Sequence, residues 1–543
     1  MVYNKRAASV YIAVIAVMCL LYFRLAALAA GGGDALPSLG GQYTRRLDIA
    51  ERRGFIFDRN GEPMAGHMDG YVIFIDLAAL DIPAETAAAS LSVAAALSAD
   101  EIERRLRTGA PFILQAQSPV DSVYAQSFPL YKRQLSGTFP AMHTVGYTAG
   151  GNGVTGLEAA FDAYLNQTGA SLRAMYQSDA LRRGLRGLPA EVSPGSYMLP
   201  AGITLTIDLK LQVELERICD EGVPKGAAVV IDINTGEILA VCSRPVFDVY
   251  GLAGYIGSGE GEFVNRALCS FTPGSVFKTV IAAAALEADP SLFDFEYTCE
   301  GRTDISGKIF NCHLRWGHGT VTMAEAYAAS CNTYFMQLAL ELGYEQIYLM
   351  AKRLGIGTQE VLDGLRVRPG NVEDNPNPPP AFTANAAIGQ GSLLLNPLEA
   401  ARMVAAAATG YLPDLTLIKA LNGLDGEVPL GPPAPRRVLS EYTVERMREM
   451  MELCVAEGTG RSAMPAQGGA GGKTSSAESG QYREIIGEGG PVSAVQVVHS
   501  WFAGYFPAES PEYAVCVVIE GGVTDGYRAG PVFASICEYL YGR

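Results

Sequence analysis

The pattern of apolar and polar positions first separates an apolar N-terminal segment from the rest of the chain. Between residues 7 and 30 the only charged residue is Arg24, and Lys5 and Arg6 come just before this run. An apolar run of this length with basic residues at its start predicts a transmembrane helix over 7–30 and a cytoplasmic tail over 1–6. The alternative is a cleaved signal peptide, because an Ala-Leu-Ala sequence near the end of the run resembles a cleavage site. We expect an anchor, which places the remaining chain outside the cell membrane.

Residues 31–200 form a second segment, in which short β-like runs alternate with turn signals. The alternating run RRGFIFDRNGEPMAG contains Asn60-Gly61, a strong hairpin signal. A helical interval follows in ETAAASLSVAAALSADEIERRLR, where apolar residues recur at helical spacing. His67 and His143 are isolated, so we expect them to be structural or exposed. The segment is therefore predicted to be a β-rich domain without catalytic groups.

Residues 201–543 have the pattern of an α+β domain. ITLTIDLKLQVELERICDEG is typical of a strand running into a helix, and GAAVVIDINTGEILAVCS of a hairpin. Helices are predicted to dominate from Pro273 to about Leu354, followed by a Pro-rich loop. Two strands around the turn AESPE and a closing helix end the chain. Strands at both ends of this segment, with helices between them, predict an antiparallel sheet that is completed by distant segments and flanked by helices.

Composition and charge restrict the class of partner. The chain has 543 residues, of which 49% are hydrophobic and 18% are charged, which fits a folded protein of more than one domain. Its formal net charge of -16 argues against nucleic acid as a partner, because a phosphate-binding surface needs a basic excess.

The cysteines raise the question of disulfides and metals. One of the ten cysteines lies in the predicted membrane helix, and the odd number left outside argues against a complete disulfide framework. Cys299 and Cys312 bracket a polar loop and are a candidate pair in an oxidising environment, with two unlinked thiols as the alternative. Cys312, His313 and His318 match no standard zinc spacing and have no evident carboxylate partner, so no metal site is predicted.

The stretch FTPGSVFKTV contains the first candidate for chemistry. It places Ser275 in the first turn of a predicted helix, where free amides and the helix dipole favour negative charge. Lys278 follows on the same helix face among apolar neighbours. A lysine can take the proton of a serine only if burial or nearby cations lower its pKa. The alternative is a capping serine followed by a surface lysine.

Two further motifs follow in the same domain. In AASCNTYF, a polar break in a helical pattern presents Ser330, which could relay a proton, and Asn332, which could hold a substrate's peptide chain. The alternative is that both residues cap helix ends. In GGAGGKTSSAESG, Lys473 and Thr474 on a predicted edge strand are candidates to bind a carboxylate. A backbone amide of this strand could form an oxyanion hole with the amide of Ser275. A phosphate-binding loop is disfavoured, because the motif lacks its first glycine.

These motifs occur in the order S-x-x-K, S-x-N and K-T-x, and with them the chain resembles a class B penicillin-binding protein, a membrane-anchored D,D-transpeptidase. Further stretches that carry the resemblance are RGFIFDRNGEPMAG, GVTGLEAAFDAYLNQTGA, VVIDINTGEILAVCSRPVFD, NRALCSFTPGSVFK, AIGQGSLLLNPLEAARM and SWFAGYFP. The resemblance extends over nearly the whole chain. The resemblance implies a pedestal or dimerisation-like domain over 31–200 and a transpeptidase domain over 201–543.

The resemblance also implies a reaction. Ser275 would attack the D-Ala-D-Ala end of a peptidoglycan stem peptide, and an amine of a neighbouring strand would then attack the acyl-enzyme to make a cross-link. β-Lactams would trap Ser275, no cofactor would be needed, and the partner would be a polytopic membrane glycan polymerase. By this resemblance Lys278 would be the base, and Ser330 and Asn332 would assist. Lys473 and Thr474 would bind the substrate carboxylate.

One position departs from the family's pattern, because Ser475 stands where the third motif usually has glycine. A side chain there could crowd the groove or shift the strand, which would affect the oxyanion hole and β-lactam affinity. The oxyanion donor after the motif would be the amide of Ser476. Two alternatives stay open: a D,D-carboxypeptidase or β-lactam hydrolase that uses water, and a non-catalytic scaffold or β-lactam sensor, which Ser475 favours.

Overall fold

The structure is a computed structural model that describes residues 2–30, 43–133, 138–486, 492–522 and 528–542. The chain divides into two compact units. The first unit combines Met1–Arg52, Met68–Lys132 and Gly169–Leu199. The second unit combines Arg53–His67, Arg133–Thr168 and Pro200–Arg543. It therefore includes two stretches of the segment that the resemblance assigns to the pedestal.

The N-terminal segment is one helix, Val2–Ala30. Its residues Ala8–Ala27 have a mean hydropathy of 2.2, and none of this stretch is buried. By length and composition the helix can cross a membrane. The predicted apolar helix is therefore present, and it begins earlier than expected, at Val2, before the basic residues Lys5 and Arg6.

Among its described residues, the first unit also contains two three-stranded sheets and the helices of the predicted helical interval. One sheet has the strand order Thr44–Arg52, Ala170–Gln177, Glu191–Ser193. The other sheet has the strand order Phe112–Ala116, His67–Ile75, Ala125–Lys132. The predicted helical interval is split into Ala84–Ala94 and Ala99–Leu106. The split lies before Ser98, whose hydroxyl accepts a hydrogen bond from the Glu101 amide and caps the second helix.

A five-stranded antiparallel sheet forms the centre of the second unit. Its strand order is Ile238–Arg244, Gly226–Asp232, Tyr513–Gly522, Val492–Phe506, Gly471–Ile486. Both predicted hairpins are present, and the pairing of Gly226–Asp232 with Tyr513–Gly522 joins them. Distant segments therefore complete the sheet as predicted, and Gly471–Ile486, which carries Lys473, is an edge strand.

Helices cover both faces of this sheet. Along Gly226–Asp232, Ala228 and Val230 pack in one core with residues of the helices Leu209–Gly222 and Ala529–Tyr541. The alternate residue Val229 packs in the other core with the helix Lys278–Ala288. This alternation follows from the two-residue period of a strand. The α+β class predicted from the sequence is confirmed.

The second unit contains further sheets, strand pairs and helices. A second five-stranded sheet has the order Gly426–Pro429, Ile418–Gly423, Gly202–Leu205, Phe55–Phe57, Pro63–Ala65. Two-stranded pairs are Thr148–Ala149 with Asn152–Gly153, Val361–Leu362 with Leu365–Arg366, and Tyr411–Leu412 with Arg436–Arg437. The other α-helices are Met142–Val145, Gly156–Ala160, Asp162–Gln167, Met323–Ala328, Asn332–Leu342, Tyr344–Arg353, Pro380–Ala387, Pro397–Thr409 and Glu441–Ala456.

Two features of this unit were not predicted. Helices dominate 273–354 as expected, but two short strand pairs lie in its middle: Tyr297–Cys299 with Gly319–Val321, and Arg302–Ile305 with Lys308–Asn311. These strands are too short and too polar to give a clear period. The Pro-rich loop contains the helix Pro380–Ala387, which begins with a proline at a position where its missing amide costs nothing.

Candidate active site

Ser275 lies in a 3-10 turn, Gly274–Phe277, that runs directly into the helix Lys278–Ala288. The serine is half-buried, whereas its neighbours in the turn are buried. The sequence predicted this position at a helix start, and the structure adds that the first turn is 3-10 rather than α. Ser275 and Lys278 therefore lie one turn apart at the start of one helical segment.

Glycines and a tryptophan fix the turn that carries Ser275. Gly274 has a φ of 54°, which favours glycine, and its amide donates to the carbonyl of Gly389 at 3.0 Å. A Cβ on Gly389 would lie 2.0 Å from the Gly274 carbonyl oxygen, so only glycine allows this approach. Trp501 Nε1 donates to the carbonyl of Thr272 at 3.1 Å. The turn is thus held from a neighbouring loop and from the central sheet.

Lys278 is fully buried, and its amine is held by the S-x-N segment. Nζ donates to the Ser330 carbonyl and to Asn332 Oδ1, each at 2.8 Å, and lies 3.3 Å from Ser330 Oγ. Burial lowers the pKa of Lys278 well below its usual value, and repulsion by the nearby Lys473 lowers it further. Lys278 therefore meets the condition given above for a lysine base, because its amine is desolvated and a second cation lies nearby.

The S-x-N segment has an unusual backbone. Ser330 has a φ of 56°, in the left-handed region that non-glycine residues seldom adopt. Cys331 follows as the residue before the helix Asn332–Leu342 and is completely buried. The break between helices that the sequence predicted is present, and it turns the Ser330 carbonyl and the Asn332 amide group towards Lys278.

The edge strand Gly471–Ile486 carries the third motif. Lys473 is fully buried, with Nζ 5.6 Å from the centre of the Tyr327 ring and 3.2 Å from the Thr474 carbonyl. The Thr474 hydroxyl lies 2.6 Å from the Thr459 hydroxyl and is also buried. The structure thus buries both side chains, and their predicted contact with a carboxylate stays a prediction. Ser476 is half-buried and more accessible.

Ser475 makes the contact that most distinguishes this site. Its hydroxyl accepts a hydrogen bond of 2.9 Å from the backbone amide of Ser275. The strand register is continuous from Gly471 to Glu478, so the side chain does not shift the strand. Gly274 leaves room for this hydroxyl, because a Cβ on Gly274 would lie 2.3 Å from it. The amide predicted to bind an oxyanion therefore already has a partner.

Sequence reasoning missed several supporting residues. The Tyr327 hydroxyl lies 2.9 Å from Thr279 Oγ1, and its ring faces Lys473. Thr459 contacts Thr474, as given above, and also donates to the Ala328 carbonyl. No local signal in the sequence marks these side chains, because each acts across two elements that are far apart in the chain.

The cysteines near this site also differ from expectation. Cys299 and Cys312 are free thiols, so the candidate disulfide is not formed. Instead, the ligand atoms of Cys299, Cys312, His318 and Cys331 all lie within 4.8 Å of one another. Within the described part of the chain this is a set of side chains that could hold a metal ion. Sequence spacing did not reveal it, because Cys331 belongs to the S-x-N segment.

Comparison with known proteins agrees with the α+β fold. Residues 226–538 match the family described as "Penicillin binding protein transpeptidase domain". The chain is 28% identical over 523 residues to stage V sporulation protein D of Bacillus subtilis, covering 90% of this chain and 77% of that protein. It is 26% identical over 542 residues to a probable peptidoglycan D,D-transpeptidase FtsI of Caulobacter vibrioides, covering 92% and 82%.

Solved structures share the fold. Penicillin-binding protein 3 of Mycobacterium tuberculosis in complex with ampicillin superposes with a TM-score of 0.64 at 23% identity, covering 92% of this chain and 96% of that one. Penicillin-binding protein 2 of Helicobacter pylori, in complex with MreC, gives a TM-score of 0.65 at 20% identity, covering 92% and 99%. The family match spans more than half of the chain, and we conclude that the chain belongs to the penicillin-binding protein transpeptidase family and is a serine acyl transferase.

Proposed function

We propose that this enzyme is a peptidoglycan D,D-transpeptidase that works through an acyl-enzyme on Ser275 and is inhibited by β-lactams. The observation that carries the proposal is the environment of Lys278, whose fully buried amine is held one turn from Ser275. A neutral lysine amine has two N–H groups and one lone pair. The two contacts of 2.8 Å use both N–H groups, which leaves the lone pair for a hydroxyl proton.

In the proposed first step, Lys278 takes the proton of Ser275 as its oxygen attacks the carbonyl carbon of the penultimate D-Ala. The carbon–nitrogen bond to the terminal D-Ala then breaks, and the leaving nitrogen receives the proton through Ser330. In the second step, an amine of a neighbouring stem peptide attacks the ester, and Ser275 regains its proton. The burial of Lys278 supports this role, because it favours the neutral amine that the first step needs.

The buried position of Lys473 changes its proposed role. We propose that its positive charge acts on Lys278 by lowering that pKa, and that the half-buried Ser476 contacts the substrate carboxylate. Asn332, whose side-chain oxygen is bonded to Lys278, keeps its amide nitrogen for the substrate's peptide chain. The amides of Ser275 and Ser476 form the proposed oxyanion hole.

A second function, a slow β-lactam sensor or scaffold, is favoured by one observation. The Ser475 hydroxyl occupies the Ser275 amide, which weakens the oxyanion hole if this hydrogen bond persists in the transition state. Water in place of an amine at the second step would give a D,D-carboxypeptidase or β-lactam hydrolase.

We further propose that the helix Val2–Ala30 is a single-pass anchor with the second unit outside the cell. This enzyme would then need a polymerase that supplies glycan strands at the same membrane. A polytopic membrane glycan polymerase meets that need.

The test is the intact mass of the full chain in detergent after incubation with a penicillin. The unmodified chain is expected to gain the mass of the drug, and the Ser275→Ala variant is expected to gain none. Ser291→Ala, an exposed serine beyond the helix, is the matched control and should acylate normally. No adduct on a folded unmodified chain would overturn the acyl-enzyme proposal, and release of D-Ala with or without a cross-linked product would separate amine from water as acceptor.

A further inference from the structure

We infer that Cys299, Cys312, His318 and Cys331 bind one zinc ion that holds the S-x-N segment against Lys278. The four residues come from separate parts of the fold. Cys299 ends the strand Tyr297–Cys299, Cys312 follows the strand Lys308–Asn311, His318 precedes the strand Gly319–Val321, and Cys331 precedes the helix Asn332–Leu342.

The distances between the ligand atoms fit a tetrahedral ion. Zinc binds sulfur at about 2.3 Å and imidazole nitrogen at about 2.0–2.1 Å, so tetrahedral geometry requires sulfur pairs about 3.8 Å apart and sulfur–nitrogen pairs about 3.5–3.6 Å apart. Cys312 Sγ lies 3.9 Å from Cys331 Sγ and 3.6 Å from His318 Nδ1. Cys299 Sγ lies 3.5 Å from the same nitrogen. These are three of the six edges of such a tetrahedron, and the ligand atoms of the other three pairs lie within 4.8 Å of one another.

The ligand types of these four residues favour a structural zinc site with no open coordination position. Three sulfurs and one imidazole are the ligands of structural zinc, and they leave no position open for substrate. The three cysteines are buried, and His318 is half-buried. The backbone amide of Asn332 lies 3.4 Å from Cys312 Sγ and donates to it, as outer-shell groups do around metal-bound thiolates. An open pocket lined by Gly301, Asn311 and Cys312 gives an ion a path of entry.

The surrounding loop is built for close packing of its backbone. Gly301 and Gly317 have φ values of 84° and 82°, and a Cβ on either would lie about 2 Å from a carbonyl oxygen of the same loop (2.1 and 2.0 Å). Such a loop returns Cys312 and His318 to Cys299 within a short stretch of chain.

The ion would act on the active site through Cys331. This residue stands between Ser330 and Asn332, and both of those contact the Lys278 amine. A metal–sulfur bond at Cys331 would fix the left-handed backbone of Ser330, which costs free energy when it is not held. These four residues are thus positioning residues, and the ion takes no part in the reaction.

The first test is the zinc content of the full chain in detergent, purified with reductant and without chelator. We expect one zinc ion per chain, lost in Cys312→Ser and in His318→Gln. The matched controls are His313→Gln, an exposed histidine of the same loop, and Cys269→Ser, a half-buried cysteine outside the set, and both should keep the metal. Loading the unmodified chain with cobalt(II) needs no variant, and it should give the absorption of tetrahedral cobalt–thiolate.

The second test is removal of the metal by a chelator and its return. Penicillin acylation should fall at least about tenfold and recover when zinc is added, which is the size of effect expected for groups that orient a site. Zinc content does not depend on acylation, so the metal inference and the proposed function fail separately.

Three results would overturn the inference. One is a chain that binds neither zinc nor cobalt under reducing conditions while all its cysteines react as free thiols. Another is metal retained in both ligand variants. The third is a metal-free chain two hydrogens lighter, with Cys312 linked to Cys331, which would identify a disulfide in place of a metal.

Discussion

Replacement of Ser475 by glycine, the residue usual at this position in the family, is expected to speed acylation. In the structure the Ser475 hydroxyl accepts a hydrogen bond of 2.9 Å from the Ser275 amide, and the side chain is 1% exposed. When a tetrahedral intermediate forms, this amide must leave the hydroxyl or share its proton with the oxyanion. Ser475→Gly removes the competing acceptor.

The size of the effect follows from the hydrogen bond that is removed. A net contribution of about 0.5–1.5 kcal/mol for one intramolecular hydrogen bond corresponds to a rate increase of about 2- to 13-fold. The upper limit is the full value of one oxyanion donor, about 100- to 1,000-fold, if the amide is wholly blocked. Glycine in a strand lowers the free energy of unfolding by about 0.5–1 kcal/mol, which is small for a chain of this size.

The assay is the second-order rate constant for acylation by a fluorescent penicillin, measured on the full chain in detergent. Ser475→Ala separates two causes, because it removes the hydroxyl but keeps the Cβ. Equal gains for alanine and glycine would assign the effect to the hydroxyl, and a gain for glycine alone would assign it to crowding. Ser479→Gly is the control on the same strand, since its hydroxyl contacts the Val497 carbonyl instead.

An unchanged or slower rate in both Ser475 variants, with unfolding temperatures near that of the unmodified chain, would refute this reasoning. It would mean that the Ser275 amide is not needed for the oxyanion, or that the Ser475 hydroxyl itself donates to it.

Three further predictions concern the proposed base, the Ser275 turn and the pH dependence of stability. Lys278→Met keeps the buried volume but removes the proposed base, so acylation should fall by about 100- to 10,000-fold; a normal rate in the same penicillin assay would contradict the role of Lys278. Gly389→Ala should destabilise the Ser275 turn and slow acylation, since its Cβ would lie 2.0 Å from the Gly274 carbonyl oxygen. The control Gly391→Ala has a similar backbone and nothing within 4 Å of the added Cβ, so it should lower the free energy of unfolding by only about 1 kcal/mol. Equal shifts of the unfolding temperature in the two variants would argue against the clash. Burial lowers the pKa of His143 to about 4 from its ordinary 6.5, so the folded state binds fewer protons than the unfolded state. The stability that neutral His143 contributes is therefore complete above pH 6.5 and is lost as the pH falls towards 4. Between pH 7.5 and 5 this loss should reach about 2 kcal/mol in urea unfolding and should be absent in His143→Gln; an equal loss in the variant would assign it to other groups.

Much of the fold was predictable because its elements have strong local patterns. The hairpin around Asn234-Thr235-Gly236 and the two C-terminal strands are runs of apolar residues bounded by turn residues, and both are present. The short strands between 297 and 321 were not predictable, because strands of three or four residues lack a measurable period. The helix Pro380–Ala387 was hidden by the prolines that begin it.

The candidate site was predictable in its composition but not in its contacts. Motif spacing identified Ser275, Lys278 and Asn332 as residue types suited to acyl transfer, because one helical turn is encoded locally. Spacing could not show that Lys473 is completely buried, since burial depends on the elements that pack over it.

The sequence by itself determined the longer strands and helices, and which side chains could perform acyl transfer, because these properties depend on neighbours in the chain. Only the tertiary structure decided that the Ser475 hydroxyl bonds the amide of a serine 200 residues away, and that Cys331 meets a histidine and two cysteines of another loop. Such contacts depend on how separate elements pack, and no local pattern of apolar and polar residues encodes that packing.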